Sequence, residues 1–192
     1  MPTNKDQLPR DQRPKTRIGY GFDSHEFRAG ISLRIGGVAL AHGRGLGGHS
    51  DGDVLLHAIT DALLGAIAGP DIGALFPPSD AKWKGADSAI FLQEALRRVR
   101  AAGYSVGNVD ASLILAAPKI GPHAAAIRGR VAELLGVAGD CVGLKAKTPE
   151  GLNLENAAIA HVVVLLEKSA VKQSRIGKEA MRGKKTARGK TR

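Results

Sequence analysis

The 192-residue sequence contains one cysteine, few aromatic side chains and no uninterrupted apolar run of about 18 residues. The lone Cys141 excludes an internal disulfide, and the lack of a long apolar run predicts that no helix spans a membrane. The first 16 residues, MPTNKDQLPRDQRPKT, lack the apolar segment of a secretory signal. We therefore expect a cytoplasmic protein without a membrane partner.

Positive charge is concentrated at one end of the chain. Residues 168–192 hold ten Lys or Arg and one Glu, whereas residues 1–167 hold 18 basic and 17 acidic residues. Dense like charge and few apolar residues predict a disordered basic tail at 168–192. Such a tail could attract RNA, DNA or acidic lipid nonspecifically, so nucleic-acid binding through it is one candidate function. A solvated tail without a dedicated partner is the alternative. We expect a disordered extension at 1–16 and one folded domain at 17–167.

The apolar pattern of the domain predicts strands interleaved with three helices. Gly36-Gly37 indicates a turn or bulge inside one long apolar stretch, and Ser88 is a candidate N-cap of the second helix. The expected fold is α/β, with a single mixed β-sheet and helices packed on one face. The predicted strands are 17–22, 31–40, 104–118, 141–148 and 158–168, and the predicted helices are 53–68, 89–102 and 122–135.

Polar residues are unusually dense in HSDGDVLLHAITDALLG, residues 49–65. Asp53, His57 and Asp61 recur at i, i+4 and i+8, on a different face of the predicted helix from its apolar stripe. A histidine one turn from carboxylates is typical of a metal ligand held by its neighbours. A solvated polar helix face explains the same pattern equally well.

A second polar group lies in GFDSHEF, residues 21–27. Asp23 and His25 are two positions apart, so on extended chain their side chains point to one face. With His57 they would supply three ligands of a tetrahedral zinc site whose fourth position is open. The alternative is a turn at the end of a strand, stabilised by an Asx contact.

Two further segments suit phosphate chemistry. DIGALFPP, residues 71–78, places a glycine after a carboxylate, where the backbone N–H can approach a ligand closely. KAKTPEG, residues 145–151, combines lysines and a threonine that bind phosphate oxygens with Glu150, which could hold a divalent cation. Ordinary turn residues explain each segment alone about as well.

Together, the segments have a specific resemblance. RIGYGFDSHEF, HSDGDVLLHAITDALLGA, DIGALFPPSD, KGADS, GYSVGNVDASLILAAPK and KAKTPEGL resemble, in the same order, the 2-C-methyl-D-erythritol 2,4-cyclodiphosphate synthases of the non-mevalonate isoprenoid pathway. The resemblance covers residues 17–167. It implies a homotrimer that converts 4-diphosphocytidyl-2-C-methyl-D-erythritol 2-phosphate to the cyclic diphosphate and releases CMP.

The resemblance also implies roles for individual residues. Zn²⁺ would be held by Asp23, His25 and His57, and a second cation, Mg²⁺ or Mn²⁺, would lie near Glu150. His49 and Thr148 would be catalytic. The residues implied to contact substrate are Asp23, Ser24, His25, His49, Ser50, Asp71, Ile72, Gly73, Phe76, Pro77, Pro78, Ser79, Asp80, Leu115, Ala116, Ala117, Pro118, Lys119, Ile120, Gly121, Lys147, Thr148, Pro149 and Glu150.

A zinc-dependent phosphohydrolase is the other enzyme that these residues could form. In that case the same three ligands would activate a water molecule, and phosphoesters would be cleaved without cyclisation.

Overall fold

The computed structural model describes residues 8–9 and 12–169. Much of the extension predicted at 1–16, and all but two residues of the basic tail predicted at 168–192, lie outside the described residues. The first strand begins at Thr16, one residue inside that extension, and the last strand ends at Lys168. None of the helices in the described part of the chain has the length and apolar composition needed to span a bilayer.

The strands of the described chain are β1 (Thr16–Ala29), β2 (Leu33–Ile35), β3 (Val38–Leu40), β4 (Arg44–Leu46), β5 (Tyr104–Leu115), β6 (Val142–Lys147) and β7 (Ala157–Lys168). Five of them form the main sheet, in the order β4-β1-β7-β5-β6. β5 and β6 are parallel and the other neighbours are antiparallel, which confirms the predicted mixed sheet. The predicted strand at 31–40 is instead a separate hairpin, β2 and β3, that turns at Gly36-Gly37.

Within residues 12–169, four α-helices connect the strands: α1 (Val54–Ala66), α2 (Ile72–Leu75), α3 (Ser88–Ala101) and α4 (Ala124–Leu135). The short α2 lies where the sequence predicted only a loop. The predicted cap at Ser88 is wrong by one residue, because the Asp87 side chain accepts the hydrogen bond from Ala89 N and Ser88 begins the helix. This leaves the Ser88 hydroxyl available for other contacts.

The helices cover one face of the sheet, as predicted. Alternate residues of β7, from Ala158 to Leu166, are fully buried against the helix layer. The opposite face has no covering element in the described chain and carries large exposed side chains. We call this surface the open face and define it by Ile18, Tyr20, Phe22, His161 and Val163.

The buried Asp53 joins the hairpin to the main domain. It caps α1 by accepting a hydrogen bond from Leu56 N, and it also accepts hydrogen bonds from Gly36 N and Gly37 N. The two glycines have φ values of 63° and 76°, as a two-residue hairpin turn requires. Burial raises the pKa of the Asp53 carboxyl, an effect that the three backbone N–H donors oppose. Asp53 therefore fixes the turn of the β2–β3 hairpin against the start of α1.

Candidate active site

Two glycines of β1 allow α1 to lie directly on the strand. A Cβ atom on Gly19 would come within 1.8 Å of Ala62 O, and one on Gly21 within 1.9 Å of Ala58 O. This close approach places His57, on the first turn of α1, beside the continuation of the same strand. GFDSHEF is part of β1 and does not form a turn after a shorter strand.

Asp23, His25 and His57 form a compact group of three metal-binding atoms. Asp23 Oδ2 lies 2.9 Å from His25 Nε2 and 3.0 Å from His57 Nδ1, and the two imidazole nitrogens are 3.0 Å apart. Ligands of a tetrahedral zinc ion with bonds of about 2 Å are separated by roughly 3.3 Å, so this triangle fits a small cation. One carboxylate and two imidazoles are also donors that zinc accepts. The group could therefore hold a metal ion.

The same three side chains have strongly coupled charges. Burial raises the pKa of the Asp23 carboxyl, but His25 and His57 outweigh this effect and hold the pKa well below its usual range. For His25, burial lowers the pKa, and the neighbouring Asp23 carboxylate more than compensates, so the pKa lies above its ordinary value. The carboxylate is thus ionised and ready to bind a cation.

The carboxylates predicted to support His57 have other partners. Asp53 binds the hairpin turn, and Asp61 accepts a hydrogen bond from Ile72 N. His57 is almost completely buried, which excludes the solvated helix face considered from the sequence.

The Nε2 atom of His57 instead faces two serine hydroxyls. It lies 2.9 Å from Ser50 Oγ and 2.8 Å from Ser88 Oγ. Ser88 in turn donates a hydrogen bond to the Asp51 carboxylate. The sequence predicts a capping role for Ser88 and no role for Asp51, although both residues lie in motifs of the resemblance, KGADS and HSDGD.

A pocket of about 170 Å³ opens beside the metal-binding group. Of the predicted site residues, the structure brings six to its wall in addition to the two histidine ligands: His49, Ser50, Ile72, Gly73, Phe76 and Pro78. Trp83 and Phe91 complete the wall and were missed, because aromatic residues in a loop and a helix carry no distinctive spacing.

Several predicted contacts do not line this pocket. Asp71 caps α2 through Ala74 N, and the Asp80 carbonyl oxygen lies 3.3 Å from His49 Nε2. Ser24 alternates to the opposite side of β1 from Asp23 and is exposed. Pro77 and Ser79 lie on the exposed loop between Phe76 and Asp80.

A second pocket, of about 510 Å³, is formed by two segments implied to contact substrate, 115–121 and 147–150, and we call it the Thr148 pocket. Thr148 and Glu150 are both exposed there, and the Thr148 hydroxyl donates a hydrogen bond to the Glu150 carboxylate. Ala117 and Pro149 belong to the same segments but do not line it. The predicted residues that do are Leu115, Ala116, Pro118, Lys119, Ile120, Gly121, Lys147, Thr148 and Glu150.

The two pockets lie at the same end of the sheet but are separated across it. Asp23 of β1 is in register with Ala160 of β7, then Leu113 of β5, then Ala146 of β6. Three strand spacings separate the first and last of these residues, which corresponds to about 14 Å. The metal-binding group and the Thr148 pocket of one chain are therefore not adjacent.

Comparisons with known proteins identify relatives of this chain. The model of the YgbB family matches residues 16–167. A 2-C-methyl-D-erythritol 2,4-cyclodiphosphate synthase from Koribacter versatilis (strain Ellin345) is 70% identical over 152 residues, covering 79% of this chain and 98% of the relative. The chloroplastic synthase of Arabidopsis thaliana is 54% identical over 155 residues, covering 79% of this chain and 67% of the relative. A solved structure of a 2C-methyl-D-erythritol-2,4-cyclodiphosphate synthase, in a form bound to CDP, superimposes with a TM-score of 0.75 at 43% identity and covers 79% of this chain and 100% of its own. The chain belongs to the YgbB family.

Proposed function

We propose that this chain catalyses the reaction for which its relatives are named, the formation of 2-C-methyl-D-erythritol 2,4-cyclodiphosphate. The substrate is 4-diphosphocytidyl-2-C-methyl-D-erythritol 2-phosphate and the leaving group is CMP. The observation that carries this proposal is the Asp23–His25–His57 group beside the pocket that His49 lines. The chain that holds it is 70% identical to a named synthase. The relatives lend no support to a zinc phosphohydrolase or a nucleic-acid-binding protein.

The chemistry requires positioning more than a strong base. The attacking 2-phosphate is already an anion, so no serine or cysteine nucleophile is needed, and two mutually repelling phosphates must be brought into line. We assign Asp23, His25 and His57 as zinc ligands. A zinc ion held by these residues would supply Lewis-acid polarisation of a phosphate oxygen. The remaining catalysis comes from donors aimed at the charge that develops on the phosphates.

The pocket beside the metal-binding group suits the methylerythritol part of the substrate. It is lined mainly by apolar side chains, including Ile72, Phe76 and Phe91, with His49 and Ser50 as polar groups. We assign His49 to stabilise the transferring phosphate. Its ring is positioned by the contact between Nε2 and the Asp80 carbonyl oxygen.

The Thr148 pocket suits the nucleotide part. Lys119 and Lys147 bring positive charge to its wall, and the Thr148 hydroxyl can donate to a phosphate oxygen. We assign Glu150 to a second cation, Mg²⁺ or Mn²⁺. A carboxylate is a ligand that both ions accept, and a cation held there would neutralise phosphate charge.

We further propose that the protein is a homotrimer in which neighbouring copies complete each site. Two features support this proposal. The open face exposes 71% of Ile18 and 58% of Tyr20, a large apolar surface for a protein that acts alone. The separation of about 14 Å between the metal-binding group and the Thr148 pocket is bridged if one copy supplies the first and its neighbour the second.

The reaction is tested by incubating the purified protein with the CDP-linked substrate and zinc, and following products by phosphorus NMR. The expected result is equal release of CMP and cyclic diphosphate. Appearance of CMP with an uncyclised phosphate product would instead identify a phosphohydrolase, and no turnover would contradict the proposal.

The shared site is tested by mixing two defective variants. His25→Ala removes a metal ligand, and Glu150→Gln removes the carboxylate of the other pocket. If each site forms between two copies, some interfaces of a coexpressed mixed trimer combine an intact metal-binding group with an intact Thr148 pocket. Such trimers should regain part of the activity. Sites built within one chain would give no recovery. The cytoplasmic location expected from the sequence stays a prediction.

A further inference from the structure

We propose that Ser88 and Asp51 are positioning residues for the metal site, acting through His57 by a hydrogen-bond chain that presents its Nδ1 lone pair to the cation. This inference rests on the proposed function for the identity of the metal. The hydrogen-bond chain itself consists of contacts between residues of this protein. It links the loop before α1 to the first residue of α3.

The direction of each hydrogen bond follows from the chemistry of the donors. An ionised carboxylate accepts hydrogen bonds and cannot donate them, so the Ser88 hydroxyl proton points to Asp51. Ser88 Oγ then has only lone pairs left for His57 Nε2, which lies 2.8 Å away. Two facing lone pairs are avoided only if His57 carries a proton on Nε2 and donates it to Ser88 Oγ, a hydrogen bond that Ser50 Oγ, 2.9 Å from the same nitrogen, can share.

This assignment determines what the other nitrogen of the ring can do. In the neutral imidazole, a proton on Nε2 leaves a lone pair on Nδ1. That lone pair faces Asp23 Oδ2 and His25 Nε2, each at 3.0 Å. Three electron-rich atoms so close together require a cation between them or an additional proton. A metal-binding histidine with its second nitrogen hydrogen-bonded in this way is the usual arrangement at protein metal sites.

The hydrogen-bond chain from Asp51 through Ser88 to His57 is protected from solvent, and it does not include the residue that caps α3. Ser88 is fully buried, and the Asp51 carboxylate is also fixed by Ser88 N and Asp53 N. The cap of α3 is Asp87, whose carboxylate accepts from Ala89 N. The neighbouring residues Asp87 and Ser88 thus have different tasks, which provides a matched pair of variants.

The decisive measurement is zinc affinity, determined by competition with a chelator in the absence of substrate. Ser88→Ala is expected to weaken zinc binding about 10- to 100-fold. Asp51→Asn should cause a smaller loss, because the amide oxygen still accepts from Ser88. Asp87→Ala should lower the melting temperature, since it removes the cap of α3. Zinc affinity should be unchanged, because the hydrogen bonds from Asp51 through Ser88 to His57 remain.

A spectroscopic readout identifies the proton directly. In the zinc-loaded protein, nitrogen NMR should show His57 protonated at Nε2, with a slowly exchanging proton whose exchange accelerates in Ser88→Ala. Wild-type zinc affinity in Ser88→Ala, or a proton on Nδ1 in the zinc-loaded protein, would overturn the proposal. Parallel losses of zinc affinity in Ser88→Ala and Asp87→Ala would also overturn it, because a general structural effect would then suffice.

Zinc binding and cyclisation, measured separately, distinguish failure of the proposed reaction from failure of the positioning role. A protein that binds zinc through this chain but fails to cyclise the substrate contradicts the proposed reaction and supports the positioning role. A wild-type protein that takes up no zinc overturns both the metal assignment and the positioning role.

Discussion

A Cβ atom placed on Gly21 would lie 1.9 Å from the carbonyl oxygen of Ala58. Ala58 follows His57 directly, so the absence of a side chain at Gly21 sets how closely this histidine approaches Asp23 and His25. The contact is with backbone, which has no rotamer by which to move aside. Packing between a strand and a helix thereby determines the dimensions of the metal-binding group.

Gly21→Ala is expected to destabilise the protein by more than about 3 kcal/mol, because α1 must move to accommodate the methyl group. The matched control is Gly129→Ala in α4, where an added Cβ meets no atom within 4 Å. That change should stabilise the protein by about 0.5–1 kcal/mol, since alanine loses less backbone entropy in a helix. Urea unfolding measures both effects, and equal effects of the two variants would contradict the packing argument.

His25→Ala should reduce bound zinc from roughly one ion per chain to a small fraction of that, because two ligands remain of three. His25 is a better choice than His57, which is more deeply buried and bonded to two serines. His42→Ala is the control, as this half-buried histidine contacts Arg44 and the Phe27 ring, outside the metal-binding group. Metal analysis showing full zinc occupancy in His25→Ala would refute the ligand assignment.

Thr148→Val separates phosphate positioning from metal binding. The change keeps the branched shape and removes the hydroxyl donor, and loss of one donor to transition-state charge lowers kcat about 10²–10³-fold. Zinc content should be unchanged. Thr60→Val is the matched control, because the Thr60 hydroxyl donates to Leu56 O inside α1, away from both pockets. An unchanged kcat in Thr148→Val, or loss of zinc with it, would remove the assigned role.

The Asp23–His25 pair should make the stability of the metal-free protein depend on pH. The pKa of Asp23 is lowered on folding. Its contribution to the free energy of unfolding is therefore present above the ordinary pKa of 3.8 and is lost as the pH falls through the lower pKa of the folded state. The pKa of His25 is raised, so its contribution is complete below 6.5 and is lost as the pH rises through the higher folded value.

The stability difference between the wild-type protein and His25→Gln should therefore be largest between pH 3.8 and 6.5. Unfolding by urea in the presence of a chelator, repeated across a pH series, measures this difference. A difference that stays constant up to pH 9 would show that the pair is not responsible.

Local periodicity made part of the site predictable. Asp23 and His25 share a face because side chains alternate along a strand, and this holds wherever the strand lies in the sheet. The turn at Gly36-Gly37 was also predictable, because adjacent glycines readily adopt the positive φ that it requires. The mixed sheet with helices on one face followed from the order of apolar segments.

Contacts between segments that are distant in the sequence could not be predicted from local periodicity. The carboxylate near His57 in the sequence, Asp53, binds the hairpin turn, whereas Ser88 reaches His57 from another helix. Asp87 and Ser88 are both good capping residues, so local preference does not decide between them. The short α2 has only four residues, too few for a helical period to appear.

The position of β7 has a consequence for how the chain folds during synthesis. β1 is made before every other described element, yet along most of its length its ladder partner is β7, the last. The centre of the sheet therefore assembles through contacts of very high sequence separation, which slows folding. Until β7 emerges from the ribosome, β1 and β5 present unpaired edges that other nascent chains could join. A message truncated shortly before β7 would consequently yield an aggregation-prone fragment with no partly active domain.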